Sequence, residues 1–140
     1  MEKAMLVLAL SLCGVATAAE QNPISVFMRA KLDHAQKVLE GLTVENLSMV
    51  AKNSQAMGLL SQDEQWRVLQ TQEYLQRSVE FRRAVETLTE AAKKENLDGA
   101  TLAYVDVTMK CVECHKYVRR VRQAVVPMPT PMGGARRYGG

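Results

Sequence analysis

The residues with the clearest chemical meaning form a short motif near the carboxyl end of the chain, Cys111-Val112-Glu113-Cys114-His115. Two thiols three positions apart, followed at once by a histidine, form the C-x-x-C-H pattern of covalent haem attachment. The thiols add to two vinyl groups along one edge of the porphyrin, and the imidazole of His115 binds the iron beneath the ring. Three cysteines and two histidines in 140 residues would give this pattern by chance in roughly one chain in a thousand. The motif therefore predicts one covalent haem c per chain.

A redox-active disulfide and a zinc site are the alternative uses of the same side chains. A redox-active Cys-x-x-Cys pair is typical of a strand that leads into a helix, and no strand pattern precedes Cys111. That interpretation also leaves His115 unexplained. A zinc site would need His34 as its fourth ligand, and three ligands within five residues of one helix form a poor tetrahedron. Both alternatives are therefore disfavoured relative to haem.

The amino-terminal segment has the pattern of an export signal. Lys3 is followed by an apolar run over residues 4–15 and by small residues over 16–19. This order is typical of a secretory signal, and the run is short for a membrane span. We expect cleavage after Ala18 or Ala19, with an uncleaved anchor as the alternative. Haem attachment through thiols takes place outside the cytoplasm, so a periplasmic location agrees with the motif.

Three segments follow from this interpretation. Residues 1–19 are the cleaved signal, which also removes Cys13, and residues 20–122 are the folded domain. Residues 123–140 contain three of the four prolines and no acidic residue, which predicts a disordered basic tail. After cleavage no stable membrane span is expected.

Composition and periodicity predict a small all-α domain. Helix-forming residues dominate and aromatic residues make up only 5% of the chain, which argues against an all-β fold. Four amphipathic segments with short links predict an antiparallel four-helix bundle that carries the haem on its last helix. No internal repeat is evident. The net charge of +3 is too small to indicate nucleic-acid binding.

Capping residues and turns give the expected helix boundaries. The first helix follows Asn22-Pro23, and the second follows a cap at Thr43. The fourth covers residues 100–122 behind a cap at Asp98. Residues 63–70 are either a short helical turn or the start of the third helix.

The residues predicted to face the core recur every three or four positions. They are Ile24, Met28, Leu32, Ala35, Leu39 and Leu42 in the first helix, Leu47, Val50, Ser54 and Met57 in the second, Tyr74, Ser78, Phe81, Val85, Leu88 and Ala92 in the third, and Leu102, Val105, Met109, Val112 and His115 in the fourth. Such spacing places each set on one face of its helix.

A helical bundle with C-x-x-C-H in its last helix resembles the cytochrome c prime family and its low-spin cytochrome c-556 relatives. Arg119, four residues after His115, matches a basic residue that often follows the motif in that family. The segment 35–39 is similar to the family's Arg-Gln-x-x-Met/Leu segment, with Gln36 matching and Leu39 at the distal position facing the iron. The likeness covers residues 24–122 and implies that Leu39 and Arg119 belong to the haem site.

The resemblance also implies that the distal residue sets the coordination of the iron. A methionine there gives a six-coordinate, low-spin site, and an apolar residue gives a five-coordinate, high-spin site. Leu39 cannot bind iron, so we expect five-coordinate iron. Met28, about three turns earlier on the same apolar face, is one rival ligand. His34, the other rival, lies about 120° from the centre of that face and is expected to be an ordinary surface histidine.

Charge is distributed unevenly along the chain. Residues 20–114 carry a net charge of −3, whereas residues 115–140 carry +6. The basic residues begin next to the motif and are Lys116, Arg119, Arg120 and Arg122. They suit pairing with the carboxylates of haem, steering of an acidic redox partner, or simply a solvated helix end.

These features favour one-electron transfer by a periplasmic monohaem cytochrome, with a periplasmic redox partner. A haem protein that binds or senses small gases such as NO or CO is the alternative, and a module in which haem is mainly structural is a third possibility. An enzymatic role is disfavoured because no acid–base constellation accompanies the motif and Leu39 supplies no distal polar group. A homodimer is implied by the resemblance alone.

Overall fold

The computed structural model describes residues 22–63 and 69–125. The predicted signal over residues 1–19 lies outside the described residues, as do residues 126–140 of the predicted tail and most of the link over 63–70. The described residues form four helices and contain no strand, which confirms the predicted all-α four-helix architecture. The helices are α1 (Pro23–Thr43), α2 (Leu47–Asp63), α3 (Gln72–Lys93) and α4 (Leu97–Val125).

Each helix packs against its neighbour in sequence, and α4 also meets α1, so the four helices close into a bundle. The α1–α4 contact is far less extensive than the other three. Helix α4 continues to Val125, so the three residues from Gln123 that were predicted to begin the tail are helical. None of the helices in residues 22–63 and 69–125 is sufficiently long and apolar to span a membrane.

Side-chain caps begin α1 and α3. The Asn22 side chain accepts a hydrogen bond from the Ile24 N–H at 3.0 Å, and Pro23 occupies the first turn, as predicted. Thr71 caps α3 by accepting from the Tyr74 N–H at 3.2 Å. Both caps satisfy backbone donors that a helix start leaves without partners.

The turns before α2 and α4 are the same structure, repeated fifty residues apart. Glu45 and Glu95 each adopt a φ of 57°, and each is followed by Asn-Leu. The Asn46 side chain accepts from the Met49 N–H at 3.0 Å, and the Asn96 side chain accepts from the Gly99 N–H at 2.8 Å. The same tripeptide therefore forms the same turn at both places.

The same turns correct two predicted caps. Asn46 caps α2 and Asn96 caps α4, whereas Thr43 is the last residue of α1 and Asp98 is the second residue of α4. A left-handed glutamate after each preceding helix reverses the chain, and the asparagine that follows it becomes the cap, three residues after the position predicted for α2 and two residues before the one predicted for α4.

The buried faces of α2 and α3 agree with the predicted stripes. Val50, Ser54 and Met57 are buried in α2, and Leu47 is half-buried. All six predicted residues of α3 are buried.

The predicted faces of α1 and α4 are wrong in part. In α1, Leu32 and Leu39 are 45% and 50% exposed, and Val38 is fully buried in place of Leu39. In α4 the whole predicted face is exposed. The buried residues of α4 are Ala100, Ala103, Val107 and Tyr117. Three of these four are small, which allows α4 to approach α3 closely, and the larger aliphatic residues of α4 remain at the surface.

The core fills the end of the bundle that carries the two repeated turns. Val38, Leu88 and Ala100 are fully buried there, and Gly41 lies so close to α2 that a Cβ atom would be 2.9 Å from Val50 Cγ2. The other end, where α1 begins and α4 leaves the bundle, is less completely filled. It contains the candidate site.

Candidate functional site

A cavity of about 410 Å³ lies at this second end, and all four helices line it. Most of its lining belongs to α1 and α4, the neighbouring helices that pack least closely against each other. Its walls are mainly apolar, and its volume lies within the range of roughly 300–1,000 Å³ that is usual for ligand and cofactor pockets. The cavity is thus suited to a largely apolar group.

The wall formed by α4 contains the whole chemical motif. Cys111, Cys114 and His115 all line the cavity. The two cysteines continue the buried stripe of Ala103 and Val107 at helical spacing, so they are half-buried and face the interior. His115, one residue further along the helix, is exposed at the edge of the cavity.

The wall formed by α1 presents Met28, Leu32 and Ala35 to the same cavity. Leu39, predicted as the distal residue, is not among the lining residues and is half exposed. It lies about 6 Å along the helix beyond Ala35, toward the filled end of the core. The structure therefore brings the rival Met28 to the motif and leaves Leu39 outside.

His34, the second rival ligand, has a structural partner. Its Nδ1 lies 2.9 Å from Oδ1 of Asn53, and Asn53 Nδ2 donates to the Met49 carbonyl at 2.8 Å. His34 is half-buried, does not line the cavity, and connects α1 to α2. His34 is therefore a half-buried contact between two helices rather than the ordinary surface histidine that was expected.

Cationic side chains surround the cavity, although they differ from those predicted. The lining contains Arg29, Lys31, Arg77 and Lys110. Arg119, predicted for the site from the resemblance, is exposed on α4 and does not line it. The four cations belong to three different helices, so no short sequence motif contains all of them.

Acidic partners hold two of these cations in place. Arg77 pairs with Glu73 at 2.6 Å, and this hydrogen bond raises the pKa of Arg77 above its already high ordinary value. Lys110 lies 3.3 Å from Glu113 and 4.0 Å from Glu80. Both cations thus lie close to the cavity, where they could pair with a carboxylate of a bound group.

Lys31 and Phe81 meet inside the lining. The Lys31 Nζ lies 4.1 Å from the centre of the Phe81 ring, a distance typical of a cation–π contact. Phe81 is buried in α3, and Met57 of α2 is buried beside the core. Together they give the cavity an apolar inner surface with a cation next to it.

Tyr104 fixes α4 to α1 beside the cavity. Its hydroxyl donates to the Ala35 carbonyl at 3.0 Å, and Ala35 itself lines the cavity. Burial raises the pKa of Tyr104, and the neighbouring Cys111 adds to that rise. Tyr104 therefore stays neutral and sets the spacing of the two walls that carry Met28 and the motif.

The side chains around the cavity fit a covalently attached haem. They include two thiols, one imidazole, a thioether on a different helix, an apolar inner surface and cations for peripheral carboxylates. Within the described ranges no group of three or more His, Cys, Asp or Glu side chains is arranged to hold a metal ion directly. A haem iron takes four ligands from the porphyrin and needs only its axial ligands from the protein.

The cavity residues missed by sequence reasoning include the cations Lys31 of α1 and Arg77 of α3. One available signal was the polar Ser78 within the otherwise mainly apolar stripe of α3.

Comparisons with protein families, with curated proteins and with solved structures gave no match for this chain, so the resemblance described above rests on its own residues.

Proposed function

We propose that the chain is a monohaem c-type cytochrome of the periplasm that carries out one-electron transfer. One observation carries the proposal: both thiols and the imidazole of the C-x-x-C-H motif line one mainly apolar cavity. A motif that had arisen by chance on a bundle surface would have no reason to face such a cavity.

Each part of the lining has a role in this proposal. Cys111 and Cys114 would hold the haem through thioether bonds, and the imidazole of His115 would bind its iron. Met28 offers a sulfur from α1, and a Met/His pair is a ligand set found in cytochromes c that raises the reduction potential. The bound haem supplies a one-electron couple, while the protein tunes it through burial and axial ligands.

The alternative is a protein that binds small gases at an open axial position. It would apply if Met28 did not reach the iron, because the other α1 residues with apolar side chains in the lining, Leu32 and Ala35, cannot bind metal. The two functions therefore differ in one ligand, which a visible spectrum distinguishes.

The proposal is tested by covalent retention of haem. The chain is expressed in a host competent in haem attachment, and the denatured protein is examined for haem that stays with the polypeptide. We expect retention in the wild type, loss in Cys111→Ala/Cys114→Ala, and retention in Val112→Ala, which changes an exposed residue of the same motif. A wild type without covalent haem, or a double variant that keeps it, would contradict the proposal.

A further inference from the structure

Ser78 is an exception among the buried hydroxyl groups of the described helices. It is 5% exposed, and its Oγ has no hydrogen-bond partner within the described residues. The other buried serine and threonine hydroxyls belong to Ser54, Ser61 and Thr89, and each lies within hydrogen-bond distance of a backbone carbonyl three or four residues earlier, with those of Ser54 and Thr89 also 2.7 Å apart. Such a bond is the usual way in which a serine or threonine inside a helix is satisfied. Ser78 does not make it.

The position of Ser78 indicates what its hydroxyl is for. Ser78 lines the cavity from α3, one turn before Phe81, and the motif cysteines line the same cavity from α4. A buried hydroxyl with no partner is unfavourable, and native proteins leave few of them. When such a group faces a ligand cavity, a polar atom of the ligand is the natural partner.

The surroundings restrict the kind of polar atom. A serine hydroxyl both donates and accepts, and it carries no charge. The cavity that Ser78 lines is mainly apolar and includes Met57 and Phe81, and cationic side chains line the same cavity. One neutral donor in an apolar wall suits a single acceptor atom on an otherwise apolar group.

Resting on the proposed function, we propose that the Ser78 hydroxyl donates a hydrogen bond to an oxygen of the group held in the cavity. Two oxygens have the required chemistry: that of a peripheral carboxylate of haem, in the electron carrier proposed above, and that of a small diatomic molecule on the iron, in the gas-binding alternative. In either case Ser78 is a positioning residue, which orients the bound group and tunes its electronic properties without reacting itself.

The test uses the haem-loaded protein in four forms: wild type, Ser78→Ala, Ser78→Thr and Ser61→Ala. Ser78→Thr keeps a hydroxyl at the site. Ser61→Ala is the matched control, because Ser61 is equally a buried helical serine but lies outside the cavity lining. Covalent haem retention is measured first. Absence of haem in the wild type would remove the proposed function and this inference together, whereas haem in all four forms isolates the role of Ser78.

Two spectroscopic measurements then distinguish the two oxygens. If the acceptor is a diatomic ligand, the C–O stretching frequency of the reduced CO form moves to higher wavenumber in Ser78→Ala. The CO measurement is repeated in proteins that also carry Met28→Leu, so that a thioether bound to the iron cannot prevent CO from binding. If the acceptor is a carboxylate, the pH at which the reduction potential changes moves upward in Ser78→Ala, because the ionised form has lost a donor.

In Ser78→Thr, which keeps a hydroxyl, we expect the property that changed in Ser78→Ala to return to its wild-type value. A shift in either measurement that is absent from Ser61→Ala supports the inference. No shift in either measurement, or equal shifts in Ser78→Ala and Ser61→Ala, overturns it while leaving the proposed function intact.

Discussion

The sulfur of Met28 decides how the proposed haem site works. Met28 is half-buried and lines the cavity from α1, while His115 lines it from α4. A thioether and an imidazole on two different helices are suited to occupy the two axial positions of one iron. In the proposed function, two such ligands from the protein would favour rapid electron transfer.

Met28→Leu tests this assignment directly. The wild type is expected to show sharp α and β bands in the reduced state that do not change with carbon monoxide. In Met28→Leu we expect a broad high-spin spectrum that shifts when carbon monoxide is added, because the new side chain cannot bind iron. Leu39→Met is the control and is expected to leave the spectrum unchanged, since Leu39 is half exposed outside the cavity.

The opposite pattern would favour the gas-binding alternative. A wild type that is already broad and sensitive to carbon monoxide, with no change in Met28→Leu, would mean that the thioether does not reach the iron. If the spectrum of Leu39→Met changed instead, Leu39 would be the distal residue, as the resemblance implied.

The sequence predicted the residues of the site unevenly. Cys111, Cys114 and His115 share one short motif, and such a motif can be recognised without any knowledge of packing. The distal wall depends on which face of α1 meets the other helices, and adjacent hydrophobic residues make that face ambiguous. Val38 and Leu39 are neighbours of similar hydrophobicity, and only the packing of α1 shows that the first is buried and the second exposed.

At the scale of elements, α4 shows the same ambiguity more strongly. Its exposed stripe contains Leu102, Val105 and Met109, whereas its buried stripe begins with Ala100 and Ala103. A hydrophobicity pattern predicts that the larger aliphatic side chains are buried, but close packing of α4 against α3 buries small side chains instead. The existence of the helix, in contrast, could be predicted because its periodicity does not depend on which face is buried, although it extends three residues beyond the predicted bounds at each end.

Two valines of α4 provide a matched test of its orientation. Val107 is 1% exposed and Val105 is 56% exposed. Val107→Ala is expected to lower the free energy of unfolding by about 2 kcal/mol, since it removes buried methyl groups and leaves a cavity. Val105→Ala is expected to change it by less than about 0.5 kcal/mol. Urea denaturation of the two variants measures the difference, and equal losses would mean that α4 is rotated from the described orientation.

Tyr104 couples two elements, and its pKa gives that coupling a pH dependence. The neutral phenol is favoured in the folded protein, so the folded pKa lies above the unfolded value of about 10. The contribution of Tyr104 to the free energy of unfolding has its full value below about pH 10. It decreases as the pH rises toward the folded pKa, because Tyr104 loses its proton first in the unfolded chain.

Tyr104→Phe is expected to remove both effects. The free energy of unfolding at neutral pH falls by about 1 kcal/mol, because the hydrogen bond to the Ala35 carbonyl is lost. The decrease in the free energy of unfolding between about pH 9 and 11 is expected to be less steep in Tyr104→Phe than in the wild type. Urea titrations across this range measure both quantities, and parallel declines in the two proteins would show that Tyr104 does not contribute to the alkaline loss.

At the scale of the whole molecule, positive charge lies at the end of the bundle that contains the cavity. The exposed cations of α4 after the motif include Lys116, Arg119 and Arg122, while Arg120 lies 3.7 Å from Glu73 of α3. The repeated turns lie at the opposite end. An uneven charge of this kind steers oppositely charged reactants toward one end of a protein. In the proposed function that end is where electrons would enter and leave.

Arg119→Glu/Arg122→Glu tests this steering with small reactants of known charge. Oxidation of the reduced protein by ferricyanide, an anion, is expected to slow several-fold at low ionic strength, and oxidation by the cationic cobalt tris-phenanthroline complex to accelerate. Both effects should diminish with salt, since the Debye length falls from about 30 Å at 0.01 M to about 3 Å at 1 M. Lys52→Glu/Lys94→Glu changes the net charge equally but at exposed positions toward the other end. Equal effects of the two double variants would mean that the total charge governs the rate, and that the basic end of α4 has no directing role.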